Sequence, residues 1–340
     1  MVRITEALAC NLTASAFKRA GVRADMAEDA AAMLTMTQMM GIGTHGLARV
    51  SNYVDRIIAG GINADSTPQI TAPAPALRKV DGKNGLGAAV ALRATQAAME
   101  AARDVGIGAA FCRGSSHLGA LAPHLYVAAQ AGFAAIITTN TSPMIAPAGG
   151  RQAIIGNTPL GFAMPNPGGI PVLLDIALSV AARSKVRQAA EAGRAIPETW
   201  ATDADGHPTT DAKAAMHGLM QAVGGAKGAN LAFCLDLFAG GLSGAAMLSE
   251  IPNANLQPGA VANVGHMIVL IDVARLMPQD VLSDRMSDAR KMVESSSSID
   301  PDTAIRLPGA RAVTSLEKAQ AEGFDITPDL YARLESLGAG

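Results

Sequence analysis

The sequence predicts a mixed α/β (α+β) fold in which strands and helices alternate through the middle of the chain and helices occupy both ends. Two observations predict the helical ends: alanine- and methionine-rich segments with helical spacing begin the chain, and helical spacing returns from about residue 278. A third predicts the centre, where short apolar runs alternate with helical patterns from Leu77 onwards. The 340 residues are enough for about two domains.

The N-terminal part is predicted to form three helices. Residues near 5–20 and 25–41 form the first two. The third begins at Thr44, a favourable N-cap residue, because apolar residues follow it at steps of three and four, and Gly60-Gly61 ends it. The Pro/Ala-rich residues 71–76 are interpreted as a linker.

The central elements follow from apolar runs and the turn residues between them. Helices are predicted over 87–105, 118–131 and 179–193. The apolar stretch 229–248 contains Asn230 and Asp236, which favours a buried core helix over a membrane span. Strands are predicted over 77–81, 107–112, 133–139, 161–164, 172–176 and 266–273.

Composition argues against several classes of function. A net charge of −2 gives no broad basic field, so we expect no nucleic-acid partner. Only 16% of residues are charged, which favours burial of surface between subunits. The first residues form no signal-like apolar core, and Cys10, Cys112 and Cys234 form no CxxC pair. We therefore expect a cytoplasmic protein with free thiols and no membrane anchor.

Residues 43–49 read Gly-Thr-His-Gly-Leu-Ala-Arg and carry the main functional hypothesis. On a helix, His45 and Arg49 would lie on one face. An imidazole can protonate a developing alkoxide, and a guanidinium can hold a carboxylate, which together suit the reduction of a small 2-oxo acid. The alternative is a solvated surface helix. Because Arg49 is expected to lower the pKa of His45, a proton donor near neutral pH would need a carboxylate nearby.

Asp175 is the first candidate for that carboxylate, because it ends the apolar strand 172–174. A helix-capping role is equally compatible with its position. Asp272, at the end of the last central strand, is the second candidate.

Three glycine-containing loops are candidate anion sites. His117 lies in a loop between a strand and a helix, which either cradles a phosphate or is an ordinary turn. Lys227 opens an apolar helix after two glycines, and the 306–311 loop carries two arginines; each faces either an anionic ligand or solvent. Gly85-Leu86-Gly87 lacks the third glycine and the acidic residue of a dinucleotide fingerprint, so a conventional Rossmann domain is not supported.

We expect no metal centre. His117 and His124 lie seven residues apart, and no third ligand has convincing spacing.

These elements, in this order, resemble the type-2 malate/L-lactate dehydrogenase family of NAD(P)-dependent oxidoreductases. The resemblance covers residues from about 5 to about 335. It rests on the 43–49 motif together with Ser-His-Leu-Gly at 116–119, Asn-Thr-Ser-Pro-Met-Ile-Ala-Pro at 140–147, Gly-Asn-Thr-Pro-Leu at 156–160, Leu-Asp-Ile-Ala-Leu-Ser at 174–179, Gly-Gly-Ala-Lys-Gly at 224–228 and Arg-Leu-Pro-Gly at 306–309.

The resemblance implies a non-Rossmann cofactor domain with a largely antiparallel mixed sheet over residues 76–274. It implies a helical substrate and dimerisation domain made of residues 1–75 and 275–340, and a homodimer. NADH and NADPH remain open alternatives for the cofactor.

The resemblance also implies roles for individual residues. His45 is the acid/base, Thr44 its hydroxyl neighbour, and Arg49 the anchor for the substrate carboxylate. Asn157 and Thr158 lie near the substrate. The residues implied around the cofactor are His117, Leu118, Gly119, Ala120, Leu121, Asp175, Ile176, Ala177, Lys227, Arg306, Leu307, Pro308, Gly309 and Arg311.

Two departures from the family pattern bear on the substrate. Ile42 stands where an acidic residue is usual, and Lys185 stands near the place of an aspartate that partners the histidine in the imine reductases. A lysine near His45 would lower the pKa of His45 and repel a cationic substrate. We therefore expect a 2-oxo-acid reductase of the malate, lactate or sulfolactate type. The alternatives are a reductase of cyclic imines (Δ1-piperideine- or pyrroline-2-carboxylate) and a non-catalytic anion-binding protein, against which the retained His45, Arg49 and Lys227 argue.

Overall fold

The computed structural model describes residues 1–300 and 302–338 and is built on one seven-stranded sheet. Its strand order is β2-β3-β4-β8-β5-β6-β7, and a two-stranded sheet pairs β1 with β9. The strands are β1 Val2–Ile4, β2 Gln69–Ala74, β3 Leu77–Asp81, β4 Ile107–Ser115, β5 Phe133–Thr139, β6 Leu160–Met164, β7 Val172–Ile176, β8 Val264–Asp272 and β9 Phe324–Ile326.

The described part of the large sheet is antiparallel at every neighbouring pair except β3–β4. Strand β8 arrives from far along the chain and lies antiparallel between β4 and β5. This insertion separates two strands that would otherwise be neighbours in a parallel unit. The expectation of a largely antiparallel mixed sheet outside the Rossmann class is therefore confirmed.

Eleven helices are described in residues 1–300 and 302–338. Helix α4 packs on β4 and β8, and α5 packs on β5 and β6. Both are rich in alanine, so the helices approach the sheet closely without large side chains. The helices are α1 Glu6–Arg19, α2 Ala24–Met39, α3 Val50–Ile58, α4 Gly87–Val105, α5 Ala122–Gln130, α6 Arg183–Glu191, α7 Ala212–Ala215, α8 Ala226–Asp236, α9 Gln279–Glu294, α10 Ala310–Glu322 and α11 Pro328–Gly338.

The two ends of the chain meet. Strands β1 and β9 are antiparallel partners, and α1 packs against α2 and α11. An exposed ion pair joins Arg3 to Asp325 across the small sheet, with 3.0 Å between Nη2 and Oδ2. The N-terminal and C-terminal segments thus pack against each other although they are remote in the sequence.

Two predicted elements differ in type in the structure. The linker predicted over 71–76 is largely the edge strand β2, because an edge position tolerates Pro73, which cannot donate to a ladder. The buried helix predicted over 229–248 is instead α8 followed by a π-helical turn, Leu237–Gly241. Phe238 and Leu242 are exposed there, so this segment has an outward apolar face. Within the described residues, no helix is long and apolar enough to cross a membrane.

Candidate active site

His45 lies in a turn between α2 and α3. The predicted helix start at Thr44 is wrong: a 3-10 helix, Leu47–Arg49, begins three residues later and continues into α3. The reason is close packing of the turn against α2, since a Cβ on Gly46 would come within 2.8 Å of the Gln38 backbone nitrogen. Thr44 therefore caps no helix, and its hydroxyl lies 2.9 Å from Nδ1 of His45.

Arg49 folds back over the same turn. Its Nε donates to the carbonyl oxygen of Thr44 at 2.7 Å. In the part of the chain that the structure describes, no carboxylate pairs with Arg49, and its two Nη groups have no hydrogen-bond partner. The turn therefore presents an uncompensated guanidinium beside an imidazole.

The surroundings of His45 favour its neutral form. Burial first, and the charge of Arg49 second, lower the pKa of His45 to about 4. The expected influence of Arg49 is thus present. Lys185 does not contribute to this shift, since it is exposed in the first turn of α6. The interpretation that Lys185 lowers the pKa of His45 is therefore wrong.

Neither candidate carboxylate pairs with His45. Asp175 instead accepts hydrogen bonds from the backbone N–H groups of Leu121 and Ala122, both at 2.9 Å, at the start of α5. Burial raises the pKa of Asp175, while these two N–H groups lower it. Asp272 caps the short turn after β8 through the N–H of Ala274. The capping alternative therefore describes Asp175, although the helix that it caps precedes it in the chain.

The loop after β4 lies between the His45 turn and Asp175. Gly119 has a φ of +92°, and a Cβ there would come within 3.2 Å of the His45 carbonyl oxygen. Because the N–H of Leu121 already binds Asp175, that group cannot also hold a phosphate. The loop thus positions His117 next to His45, with ring centroids 5.7 Å apart.

The remaining loops that the resemblance implies around the cofactor are hydrogen-bonded to β7 or to the residues just after it. The N–H of Leu173 donates to the carbonyl oxygen of Pro308 at 3.1 Å, which places the 306–309 loop on β7. Leu178 donates to Asn157 at 2.8 Å and accepts from Val223 at 2.9 Å. These bonds connect the end of β7 with the 156–160 loop and the glycine loop before Lys227.

The cationic side chains of this region are open to solvent. Lys227 lies in the first turn of α8, after Gly224 and Gly225, which both have positive φ. Arg306 and Arg311 flank Gly309 at the start of α10 and are exposed as well. Two helix N-termini with adjacent cations fit the phosphates of a dinucleotide.

The two residues implied near the substrate differ in access. Asn157 accepts a hydrogen bond from the Thr141 hydroxyl at 2.9 Å. Thr158 is fully buried with a φ of +23°, and its hydroxyl lies 3.4 Å from the Gly156 carbonyl oxygen. Thr158 therefore presents no free hydroxyl in this state.

Tyr53 is a site neighbour that the sequence reasoning missed. Its hydroxyl lies 2.5 Å from Nδ1 of His117, and the side chain is 2% exposed. The helical pattern classified Tyr53 as an apolar face residue of α3. The hydroxyl group of Tyr53 could have indicated this contact from the sequence, because a buried tyrosine usually has a polar partner.

No group of three or more candidate metal ligands occurs within residues 1–300 and 302–338.

Comparisons with known proteins identify the family. The malate/L-lactate dehydrogenase family model matches residues 4–335. A Δ1-pyrroline-2-carboxylate reductase of Pseudomonas fluorescens is 31% identical over 328 residues, covering 96% of each chain. A (2R)-3-sulfolactate dehydrogenase (NADP+) of Chromohalobacter salexigens is 31% identical over 315 residues, covering 93% of this chain and 92% of that one.

A solved structure shows the same fold. The malate dehydrogenase of Pyrococcus horikoshii superposes with a TM-score of 0.87 at 26% identity, covering 99% of this chain and 94% of the other. The family match spans nearly the whole chain, and the fold agrees over the same length. The chain belongs to the malate/L-lactate dehydrogenase family of NAD(P)-dependent oxidoreductases.

Proposed function

We propose that this protein reduces small 2-oxo acids to 2-hydroxy acids and catalyses the reverse oxidation. The observation that carries the proposal is the turn at 43–49, which holds an imidazole and an uncompensated guanidinium side by side. The Thr44 hydroxyl lies within hydrogen-bond distance of His45, and the Thr44 carbonyl oxygen holds Arg49. One residue thus orients both side chains.

Arg49 binds the carboxylate of the substrate. With Nε used by Thr44, its two Nη groups remain for a bidentate pair with the acid. The carboxylate is then fixed within the reach of the His45 ring, which orients the neighbouring carbonyl group.

His45 supplies the proton through Nε2, because Nδ1 faces Thr44. Alone, the ring is neutral at pH 7, since its pKa is lowered to about 4. The bound carboxylate offsets the charge of Arg49 and is itself a negative charge beside the imidazole, and both effects raise the pKa of His45 against the larger effect of burial. His45 therefore takes up a proton as the anion binds, and the missing carboxylate partner is supplied by the substrate itself.

A bound reduced nicotinamide supplies the hydride for the carbonyl carbon. The residues proposed to hold it are those of the 117–121 loop, Asp175 to Ala177, Lys227 and the 306–311 loop. Their support is the backbone bonding through β7 and the two open helix N-termini at α8 and α10. Asp175 acts in this set by capping α5, and we assign it no proton-transfer step. NADH and NADPH are both compatible with the arrangement.

The site supports an anionic keto acid better than a cyclic imine. Arg49 is a fixed positive charge, and His45 has no carboxylate partner to stabilise a cationic iminium. The relatives include both a sulfolactate dehydrogenase and a pyrroline-2-carboxylate reductase, so keto-acid reduction and imine reduction are the two reactions to compare.

The test is a panel of substrates read by the loss of reduced-nicotinamide absorbance with each cofactor. Pyruvate, oxaloacetate and sulfopyruvate are compared with Δ1-piperideine-2-carboxylate. We expect the highest kcat/KM with one of the keto acids. A preference of tenfold or more for the imine would assign the protein to the imine reductases. Cofactor binding without any turnover would assign it to non-catalytic anion binding.

We further propose a cytoplasmic homodimer. The support for a dimer is the row of exposed apolar side chains on α8 and the following π-helical turn, which favours burial against a second copy. The exposed side chains there are Leu231, Phe233, Leu237, Phe238 and Leu242. The domain division that we propose is 76–274 for cofactor binding and 1–75 with 275–340 for the helical part, supported by the pairing of β1 with β9.

A further inference from the structure

We propose that Tyr53 is a positioning residue that fixes the tautomer of His117, so that His117 presents an N–H donor beside His45. The proposal rests on the proposed function for the identity of the ligand, but its structural part concerns this chain alone. It starts from the contacts around one ring nitrogen.

Nδ1 of His117 lies within hydrogen-bond distance of two groups. The Tyr53 hydroxyl is 2.5 Å away, and the backbone nitrogen of Gly119 is 3.3 Å away. A backbone N–H can only donate, whereas a tyrosine hydroxyl can donate or accept. The N–H of Gly119 favours an unprotonated Nδ1, but at 3.3 Å its bond is long and does not fix the tautomer alone. With Tyr53 donating as well, the proton of the neutral ring sits on Nε2.

The surroundings hold both groups in these states. Burial raises the pKa of Tyr53 above its usual range, so the hydroxyl keeps its proton. The charged and titratable groups around His117 are Arg49, His45, Arg56 and His266. Burial and these groups all keep the pKa of His117 well below its usual value. The ring therefore stays neutral, and its tautomer decides what it offers.

Nε2 of His117 is the atom left for a ligand. It makes no hydrogen bond in the described part of the chain, and it is not sealed from solvent. The His45 ring lies 5.7 Å away, centroid to centroid, at an angle of 32°. With the proton on Nε2, His117 is a neutral N–H donor beside the His45 ring. With the other tautomer, a lone pair would face the substrate oxygen and repel it.

A neutral imidazole N–H is suited to an oxygen that gains negative charge during reduction, because a donor already fixed in place stabilises that charge without reorganisation. Tyr53 reaches this oxygen only through His117. The effect of losing the hydroxyl should therefore appear in kcat more than in cofactor binding.

The direct test is ¹⁵N NMR of the ligand-free protein labelled at its six histidines, with His117→Gln assigning the His117 signals. We expect a protonated Nε2 and an unprotonated Nδ1 in the wild type at pH 7. In Tyr53→Phe we expect the other tautomer to appear, because only the longer bond from Gly119 remains. A wild-type ring protonated on Nδ1, or a spectrum unchanged by Tyr53→Phe, would overturn the proposal whatever the substrate proves to be.

Kinetics supply the second test. Tyr53→Phe should lower kcat on the order of tenfold, the value of one hydrogen bond, with little change in the Kd of the reduced cofactor. Tyr126→Phe and Tyr331→Phe are the matched controls and should leave kcat unchanged. In a His117→Gln background, where the amide supplies the N–H, Tyr53→Phe should cost less than about twofold. An equal loss of kcat in both backgrounds would show that Tyr53 does not act through His117.

Discussion

At the scale of single residues, the charge balance at His45 determines how the site works. The imidazole is half-buried next to Arg49, and no carboxylate in the described part of the chain pairs with it, so it is neutral until an anion arrives. In the proposed mechanism, the substrate carboxylate takes the place of an acidic side chain beside the histidine. Binding of the anion and protonation of His45 are therefore coupled.

Oxamate, an unreactive 2-oxo-acid analogue, measures this coupling. Binding to the enzyme saturated with reduced cofactor at pH 7 should be accompanied by uptake of about one proton, because the pKa of His45 rises from about 4 in the free site. Calorimetry in two buffers of different ionisation enthalpy gives the number of protons. Uptake should disappear in His45→Gln. Binding without proton exchange in the wild type would contradict the coupling.

Arg49→Lys separates charge from geometry. The lysine keeps the positive charge but cannot form the two-pronged pair, and it cannot bind the Thr44 carbonyl oxygen in the same way. We expect the KM for the keto acid to rise on the order of tenfold with a smaller change in kcat. Arg19→Lys, on the surface of α1, is the control. An unchanged kcat/KM would mean that the carboxylate is held elsewhere.

At the scale of elements, Asp175 connects the sheet to a helix and through it to the site. It ends β7 and caps α5, and the capped turn adjoins the loop that carries His117. Asp175→Ala leaves two N–H groups without an acceptor, which should lower the free energy of unfolding by about 1–2 kcal/mol. It should also raise the Kd of the reduced cofactor.

Urea unfolding and fluorescence titration measure the two effects of Asp175→Ala. Asp272→Ala removes a cap from an exposed turn and serves as the comparison, with a smaller loss expected. If Asp175→Ala destabilises no more than this control, the cap does not organise the loop.

The elements also show what the sequence can predict. Helix α4 and the strands β3, β5 and β7 have the predicted bounds because each is an apolar run closed by turn residues. The predicted helix start at Thr44 was wrong because the local conformation depends on contact with α2. Strand β2 was predicted as a linker because its proline is compatible with a strand only at the edge of a sheet. The contact between Tyr53 and His117 joins residues 64 positions apart. The cofactor loops came from resemblance, since no local pattern specifies that they meet on β7.

At the scale of the whole molecule, four histidines couple folding to pH: His124 and His266 are buried, and His45 and His117 are half-buried. The pKa is lowered to about 4 for His45 and His124, to about 3 for His266, and well below its usual value for His117. The unfolded chain binds protons at these residues below about pH 6.5, whereas the folded protein does not. Stability from this source is therefore complete above pH 6.5 and falls as the pH decreases towards 4.

His124→Leu tests this coupling away from the site. Both ring nitrogens of His124 are sealed from solvent without a hydrogen bond of good geometry. Each such histidine accounts for about 1.4 kcal/mol per pH unit over this window. Between pH 6.5 and 4.5 the leucine variant should lose about 2–3 kcal/mol less than the wild type in urea unfolding. An identical pH dependence in the two proteins would exclude His124 as a contributor.

The central claim is that His45 is the proton donor of a 2-oxo-acid reductase, and turnover by His45→Ala tests it most directly. We expect kcat to fall by about 10²–10⁴-fold, the usual contribution of a general acid. Reduced cofactor, followed by its fluorescence, should bind the variant as tightly as the wild type, because most of the loops proposed to hold it are hydrogen-bonded to β7 or the residues just after it and not to the 43–49 turn. Near-normal turnover by His45→Ala with bound cofactor would contradict the account.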